Sequence, residues 1–119
     1  MNLRSAKIAR LFQKEISMII GRELTNSDIG FVTVTAVQFN KDMSLATVYV
    51  SIFGTDGAKA KSIIALNHAK GVVRHSLAGR VVLRHMPDIE FREDVQLNQI
   101  ERTLNIIKKI EDGDKKVEK

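Results

Sequence analysis

The repeat distance between apolar residues switches along the chain between three-to-four and two, and these switches constrain the fold more tightly than any single motif. From residue 3 to 24, Ile8, Leu11, Phe12, Ile16, Ile19, Ile20 and Leu24 recur at threes and fours, the spacing that lines one side of an α-helix. Arg4, Lys7, Arg10 and Lys14 recur at a similar spacing on another side, so this helix buries one face and shows cations on another. Turn formers at 26–30 end it. Residues 31–39 are then rich in Val, Thr and Phe, and read as a strand. A second strand is expected over 46–53, after Asn40-Lys41-Asp42-Met43-Ser44, a loop length that joins antiparallel neighbours. Alternation puts Val32, Val34 and Ala36 with Ala46, Val48, Val50 and Ile52 on a covered face. Thr33, Thr35, Thr47, Tyr49 and Ser51 fall on a polar one.

Gly54-Thr55-Asp56-Gly57 reads as a turn cluster, and residues 58–69 as a second helix with apolar positions at Ile63, Ile64 and Leu66. Gly71 interrupts it, while Val72, Val73 and Leu77 continue a helical pattern to Gly79. Two short helices or one bent helix fit equally well. Pro87 holds its predecessor extended, and Ile89 and Phe91 alternate with Glu90 and Arg92 in a third strand over 88–92, reached by a crossover. Leu97, Ile100, Leu104, Ile107 and Ile110 then predict a last amphipathic helix over 95–110 that packs on the domain, with Asp94 as its N-cap. The expected order is α-β-β-α-α-β-α, an α+β domain whose three-stranded sheet carries helices on one face. It spans 1–111, and 112–119 is a short charged tail.

A chain of 119 residues is enough for one core. With no Cys, disulfides and thiolate metal sites are excluded, which suits a reducing, cytoplasmic compartment. No apolar run approaches membrane-spanning length. Charge is segregated: residues 57–87 contain no acid, yet hold Lys59, Lys61, Lys70, Arg74, Arg80, Arg84 and all three histidines. A positive field of that extent favours a polyanion. Catalytic groups are scarce. His68, His75 and His85 have no acid beside them to orient a ring, no phosphate loop or dinucleotide fingerprint occurs, and the serines lack a nucleophile-elbow spacing. Neither an enzyme, a metal site nor a cofactor is expected.

Two short stretches compete as phosphate contacts. Gly54-Thr55-Asp56-Gly57 spells the G-x-x-G by which KH domains clamp a nucleic-acid backbone. It follows a strand rather than joining two helices, however, and Asp56 would repel phosphate, so turn chemistry explains it. The helix junction Asn67-His68-Ala69-Lys70-Gly71 suits an anion better. Ala69 and Gly71 leave little bulk near the backbone, Lys70 lies inside and Arg74 one turn on, and the amides opening the next helix add partial positive charge.

From Arg10 to Phe91 the chain resembles the bacterial ribosome-binding factor A family. The resemblance rests on Gln13-Lys14-Glu15-Ile16, Arg22-Glu23-Leu24, Gly30-Phe31-Val32-Thr33-Val34-Thr35 and the run from Asp42 through Met43-Ser44-Leu45-Ala46-Thr47-Val48-Tyr49-Val50 to Ser51. It continues, in order, in Ala65-Leu66-Asn67-His68-Ala69-Lys70-Gly71-Val72-Val73-Arg74, Leu77, Leu83-Arg84, Pro87, Ile89 and Phe91. The chain departs where members often carry a proline, at Leu24-Thr25-Asn26-Ser27-Asp28. The resemblance implies a type II KH-like fold in which an Ala-x-Gly helix kink, here Ala69-Lys70-Gly71, replaces the G-x-x-G loop. It further implies a non-enzymatic, monomeric factor that binds the immature small ribosomal subunit and 16S rRNA, assists late maturation and 5′-end processing, matters most in the cold, and meets other assembly factors, including a release GTPase.

The expected interface is a cationic surface around the kink, built by Lys70, Arg74, Arg80 and Arg84 with Arg4, Lys7, Arg10 and Lys14. With five Phe, one Tyr and no Trp, most of the Phe in apolar positions, phosphate contact should outweigh base stacking. The competing readings are a protein-interaction module whose basic face docks an acidic partner, and a general KH-type RNA binder.

Overall fold

Each switch of period becomes a boundary between elements. A computed structural model describes residues 3–95. Helix α1 spans Leu3–Glu23 and buries Ala9, Phe12, Ile16 and Ile19 along one side. Strands β1 (Phe31–Phe39) and β2 (Leu45–Phe53) pair antiparallel as the expected hairpin. Helices α2 (Asp56–His68) and α3 (Lys70–Ala78) then carry the chain across to β3 (Asp88–Glu93), which lies parallel to β2. The sheet order is β1-β2-β3. The expected helix over 95–110 and the tail over 112–119 lie outside the described residues, apart from Val95.

The core is one layer between sheet and helices. α1 packs on β1 and α3, and α2 and α3 on β3. Phe12, Ile16, Ile19, Val48, Val50, Leu66, Val73, Leu77 and Phe91 are all buried, each side chain of this size contributing about 1.5–3 kcal/mol when removed from water. Phe12 meets Phe39 edge to face, with ring centroids 5.2 Å apart, a favoured aromatic geometry.

One expected face assignment is corrected. Strict alternation places Ala36 on the covered face, but the β1–β2 register slips between Val34 and Ala36: Val34 pairs with Val50, Ala36 with Tyr49, and Val37 with Val48. The extra residue, Thr35, makes a β-bulge that reverses the phase of everything after it. Ala36 therefore joins Tyr49 on the outer face, and Val37 and Phe39 turn to the core. A bulge leaves carbonyls without ladder partners, and Gln13 of α1 supplies the donor: its Nε2 lies 3.2 Å from the Val34 oxygen and 3.4 Å from that of Thr35.

The Gly54 turn is explained by local geometry. Gly54 has φ 137°, a region that side chains disfavour, and the Thr55 hydroxyl accepts from the Ala58 amide at 3.1 Å, capping α2. Buried Ser62 fixes the entry to β1, donating to the Asp28 carbonyl at 3.1 Å and accepting from the Gly30 amide at 3.0 Å.

Candidate nucleic-acid interface

The α2–α3 junction is a break of one residue. The Ala69 amide still bonds back to the carbonyls of Ala65 and Leu66, both at 3.1 Å, and the Ala69 carbonyl already accepts from Val73 at 3.0 Å. Ala69 itself has φ −90° and ψ 1°, outside the helical region. The choice between two helices and one bent helix thus resolves into two. α3 opens at Lys70 with no side chain capping its first turn, so its leading amides bring the partial positive charge of a helix N-terminus to the surface.

Gly71 stands in that first turn, and a Cβ added there would meet nothing within 4 Å. No neighbour in the fold requires a glycine at this position. What the missing side chain provides is a clear approach to backbone from outside. Lys70, Gly71 and Arg74 share a cleft with Leu45, Asn67 and the Asp88-Ile89-Glu90 stretch of β3.

Asn67 fixes this cleft. β3 is an edge strand, and an edge exposes unpaired amides and carbonyls. The Asn67 side chain covers one such pair: its Oδ1 accepts from the Phe91 amide at 2.9 Å and its Nδ2 donates to the Phe91 carbonyl at 3.0 Å, with the Ile63 carbonyl at 3.2 Å. A side-chain amide thus acts as one rung of a further strand. The bend is held against the sheet two residues before it occurs.

The eight cations expected at the interface divide into two kinds. Arg74 and Arg80 are exposed residues whose guanidinium groups also reach acceptors within the protein. Arg74 donates from Nε to the Pro87 carbonyl (3.1 Å) and from Nη2 to that of Met86 (2.9 Å), and its Nε lies 3.7 Å from Asp88. It closes the connection between α3 and β3. Arg80 binds Glu23 at 2.8 Å and lies 3.6 Å from Glu15, tying the segment after α3 to α1. Glu23 also accepts from the Ser76 hydroxyl at 2.7 Å. These two hydrogen bonds, from Ser76 first and Arg80 second, hold the Glu23 carboxyl below the ordinary carboxylate range. In both cases the partner stands far away in sequence, beyond the reach of local patterning.

Lys70, Arg84, Arg4, Lys7, Arg10 and Lys14 are exposed, and none makes an ion pair with another described residue. Arg84 sits in the irregular stretch between α3 and β3. Arg4 and Lys7 line a groove with Leu3, Ile8, Val82 and Leu83, where α1 begins. Arg10 and Lys14 lie on the side of α1 away from its buried residues. α1 has no acid in its first turn, although a helix N-terminus favours anions by about 0.3–1 kcal/mol each. Core burial outweighs that cost, so the placement of Arg4 and Lys7 is not explained by the helix's own stability.

Sequence reasoning missed Asn67, Ser62, Gln13 and the acceptors of Arg74 and Arg80. Of the five Phe, Phe12 and Phe91 are buried and Phe39 partly so, while Phe31 and Phe53 are exposed on the sheet. Among the described residues no group of three or more His, Cys, Asp or Glu could hold a metal ion, and no helix is long and apolar enough to cross a membrane.

An α-β-β-α-α-β chain with a three-stranded sheet and a one-residue break between its second and third helices defines a KH-like domain. The profile of the family described as Ribosome-binding factor A matches residues 4–107, and the chain belongs to that family. Ribosome-binding factor A of Macrococcus caseolyticus is 41% identical over 107 residues, covering 87% of this chain and 94% of the relative. That of Brevibacillus brevis is 36% identical over 116 residues, covering 97% and 96%. The crystal structure of ribosome-binding factor A from Thermus thermophilus superposes with a TM-score of 0.67 at 28% identity, over 75% of this chain and 93% of that one. A homology model of the Thermus thermophilus factor, fitted into the cryo-EM map of its complex with the 30S subunit, gives 0.55 at 31% identity, over 78% and 93%.

Proposed function

We propose that this protein is a cytoplasmic, monomeric ribosome assembly factor that binds the immature 30S subunit through 16S rRNA. In this reading it assists late maturation, including processing of the rRNA 5′ end, and does so chiefly at low temperature. The carrying observation is the α2–α3 junction, where uncapped amides, an unobstructed Gly71 and the exposed Lys70 meet at one point of the surface. Family membership supplies the target: the Thermus thermophilus relative is placed in a 30S complex.

Mechanistically, a phosphate approaches the backbone of α3 over Gly71, meets the leading amides and is neutralised by Lys70. Arg84, Arg4, Lys7, Arg10 and Lys14 extend the contact along the backbone. Arg74 and Arg80 act mainly as positioning residues that hold the junction and the segment after α3 in place. With about five phosphates neutralised, log affinity falls with log salt at a slope of roughly −3.5 to −4.5. The factor then works by differential affinity, favouring the rRNA conformation it binds more tightly, with no nucleotide hydrolysis of its own.

The test is sedimentation of tagged protein through gradients with free small subunits, mature ribosomes and RNase-treated controls. Co-migration with immature small subunits that RNase abolishes is expected. Equal binding to isolated single strands would favour a general RNA binder, and indifference to RNase a protein-interaction module.

A further inference from the structure

Exposed cations stand on two separate elements, Lys70 at the start of α3 and Arg4 and Lys7 at the start of α1. The loop between β1 and β2, residues 40–44, lies against both neighbourhoods. We propose, on the rRNA reading above, that this loop is a further part of the contact, in which Lys41 takes a phosphate and joins the two groups of cations into one track.

On one side the loop abuts the α2–α3 cleft. The Ser44 carbonyl accepts from the Asp88 amide at 2.9 Å, and the next residue, Leu45, lines the cleft with Lys70 and Gly71. On the other side it reaches the first turns of α1, where the Ser5 hydroxyl lies 3.9 Å from the Met43 sulfur. Ser5 is one residue from Arg4 and two from Lys7.

Lys41 is the one Lys or Arg between Arg22 and Lys59. It is exposed, and no ion pair joins it to another described residue. The acids around it are engaged elsewhere. Asp42 Oδ1 accepts from the Ser44 hydroxyl at 2.6 Å and from its amide at 3.1 Å, so that this carboxylate closes the turn. Asp88 lies 3.7 Å from Arg74, and Glu90 3.1 Å from Arg92. A lysine left in this way holds its charge for a polyanion.

The loop is also held in one shape. Asn40 donates from Nδ2 to the Ser44 hydroxyl at 2.8 Å and accepts the Leu45 amide on Oδ1 at 2.9 Å, while the Met43 amide bonds to the Asn40 carbonyl at 3.0 Å. Met43 has φ 57°, a left-handed conformation that glycine adopts at lower cost. A turn that only reversed the chain would be served better by glycine, whereas methionine reaches Ser5 and fixes the loop against α1. A loop ordered beforehand loses less freedom when its ligand arrives.

Because the chain has no cysteine, an iron chelate can be attached at one chosen residue of the full chain and used to cleave nearby rRNA with hydroxyl radicals. Lys41→Cys, Lys70→Cys, Lys7→Cys and Ser27→Cys are compared on immature small subunits at saturating protein. Ser27 precedes β1, whose first residue pairs at the end of the hairpin away from the loop. Position 41 should cut 16S rRNA at sites overlapping those from position 70 and those from position 7, and position 27 should not cut. Lys41→Ala should lower subunit affinity several-fold and reduce the log–log salt slope by about 0.7–0.9, at unchanged thermal stability. Cuts from 70 and 7 without cuts from 41, equal cutting from 27, or a wild-type slope in Lys41→Ala would overturn the proposal and leave the rRNA reading in place. Silence from all four positions would overturn both.

Discussion

Two glycine-bearing turns of this chain look alike in sequence and differ in physical purpose. At Gly54-Thr55-Asp56-Gly57 the glycine answers a demand from within: φ is 137°, an added Cβ would lie 3.3 Å from that of Ala58, and Thr55 already occupies the capping site of α2. At Ala69-Lys70-Gly71 nothing in the fold asks for glycine, and the helix start is left uncapped. The first turn is closed by its own hydrogen bonds, and the second stays open to a ligand. A glycine is thus read by what its missing side chain would touch, and the G-x-x-G spelling marks the wrong turn.

This contrast can be broken by mutation. The largest effect is expected at Asn67, the frame of the open turn: Asn67→Ala strips partners from the amide and carbonyl of Phe91, at about 1–3 kcal/mol per unsatisfied group. Urea denaturation should show a loss of roughly 2–4 kcal/mol. Gly54→Ala comes next. The strained conformation should cost about 1–3 kcal/mol, with subunit affinity unchanged in the folded fraction. Gly71→Ala should do the reverse, holding stability or raising it by up to about 1 kcal/mol while subunit affinity drops several-fold. A matched loss of stability at both glycines would erase the distinction.

The smallest effect concerns Glu23, which links α1 to Ser76 and Arg80 at the surface. Its carboxyl is held below the ordinary range by those hydrogen bonds, so its contribution is present above the unfolded pKa of about 4.3 and is lost as pH falls through the lowered value. Glu23→Gln should therefore melt slightly below the wild type at neutral pH, and the two should converge as the pH falls through that lowered value. Solvent screening keeps the gap small.

Periodicity alone brought α1, the hairpin and the junction into view, because each depends on neighbours in sequence. The bulge was harder to see. Val37 and Phe39 are apolar and out of phase with Val34, which is a signal, but only the pairing with β2 shows where the phase reverses. Arg74 and Arg80 read as free cations for a similar reason: a basic residue looks the same in sequence whether its acceptor is a phosphate or a carboxylate 57 residues away, as Glu23 is from Arg80. Asn67 reads as an ordinary polar residue on a helix until β3 arrives beside it.

The central claim is that rRNA meets the backbone at the start of α3, so the most direct test measures affinity for immature small subunits across a salt series with Gly71→Glu and Lys70→Ala, at matched thermal stability. Gly71→Glu should weaken binding about tenfold or more, a loss of roughly 1.4 kcal/mol. Lys70→Ala should reduce the steepness of the log–log salt plot by about 0.7–0.9. Wild-type affinity and an unchanged slope in both variants would contradict the account.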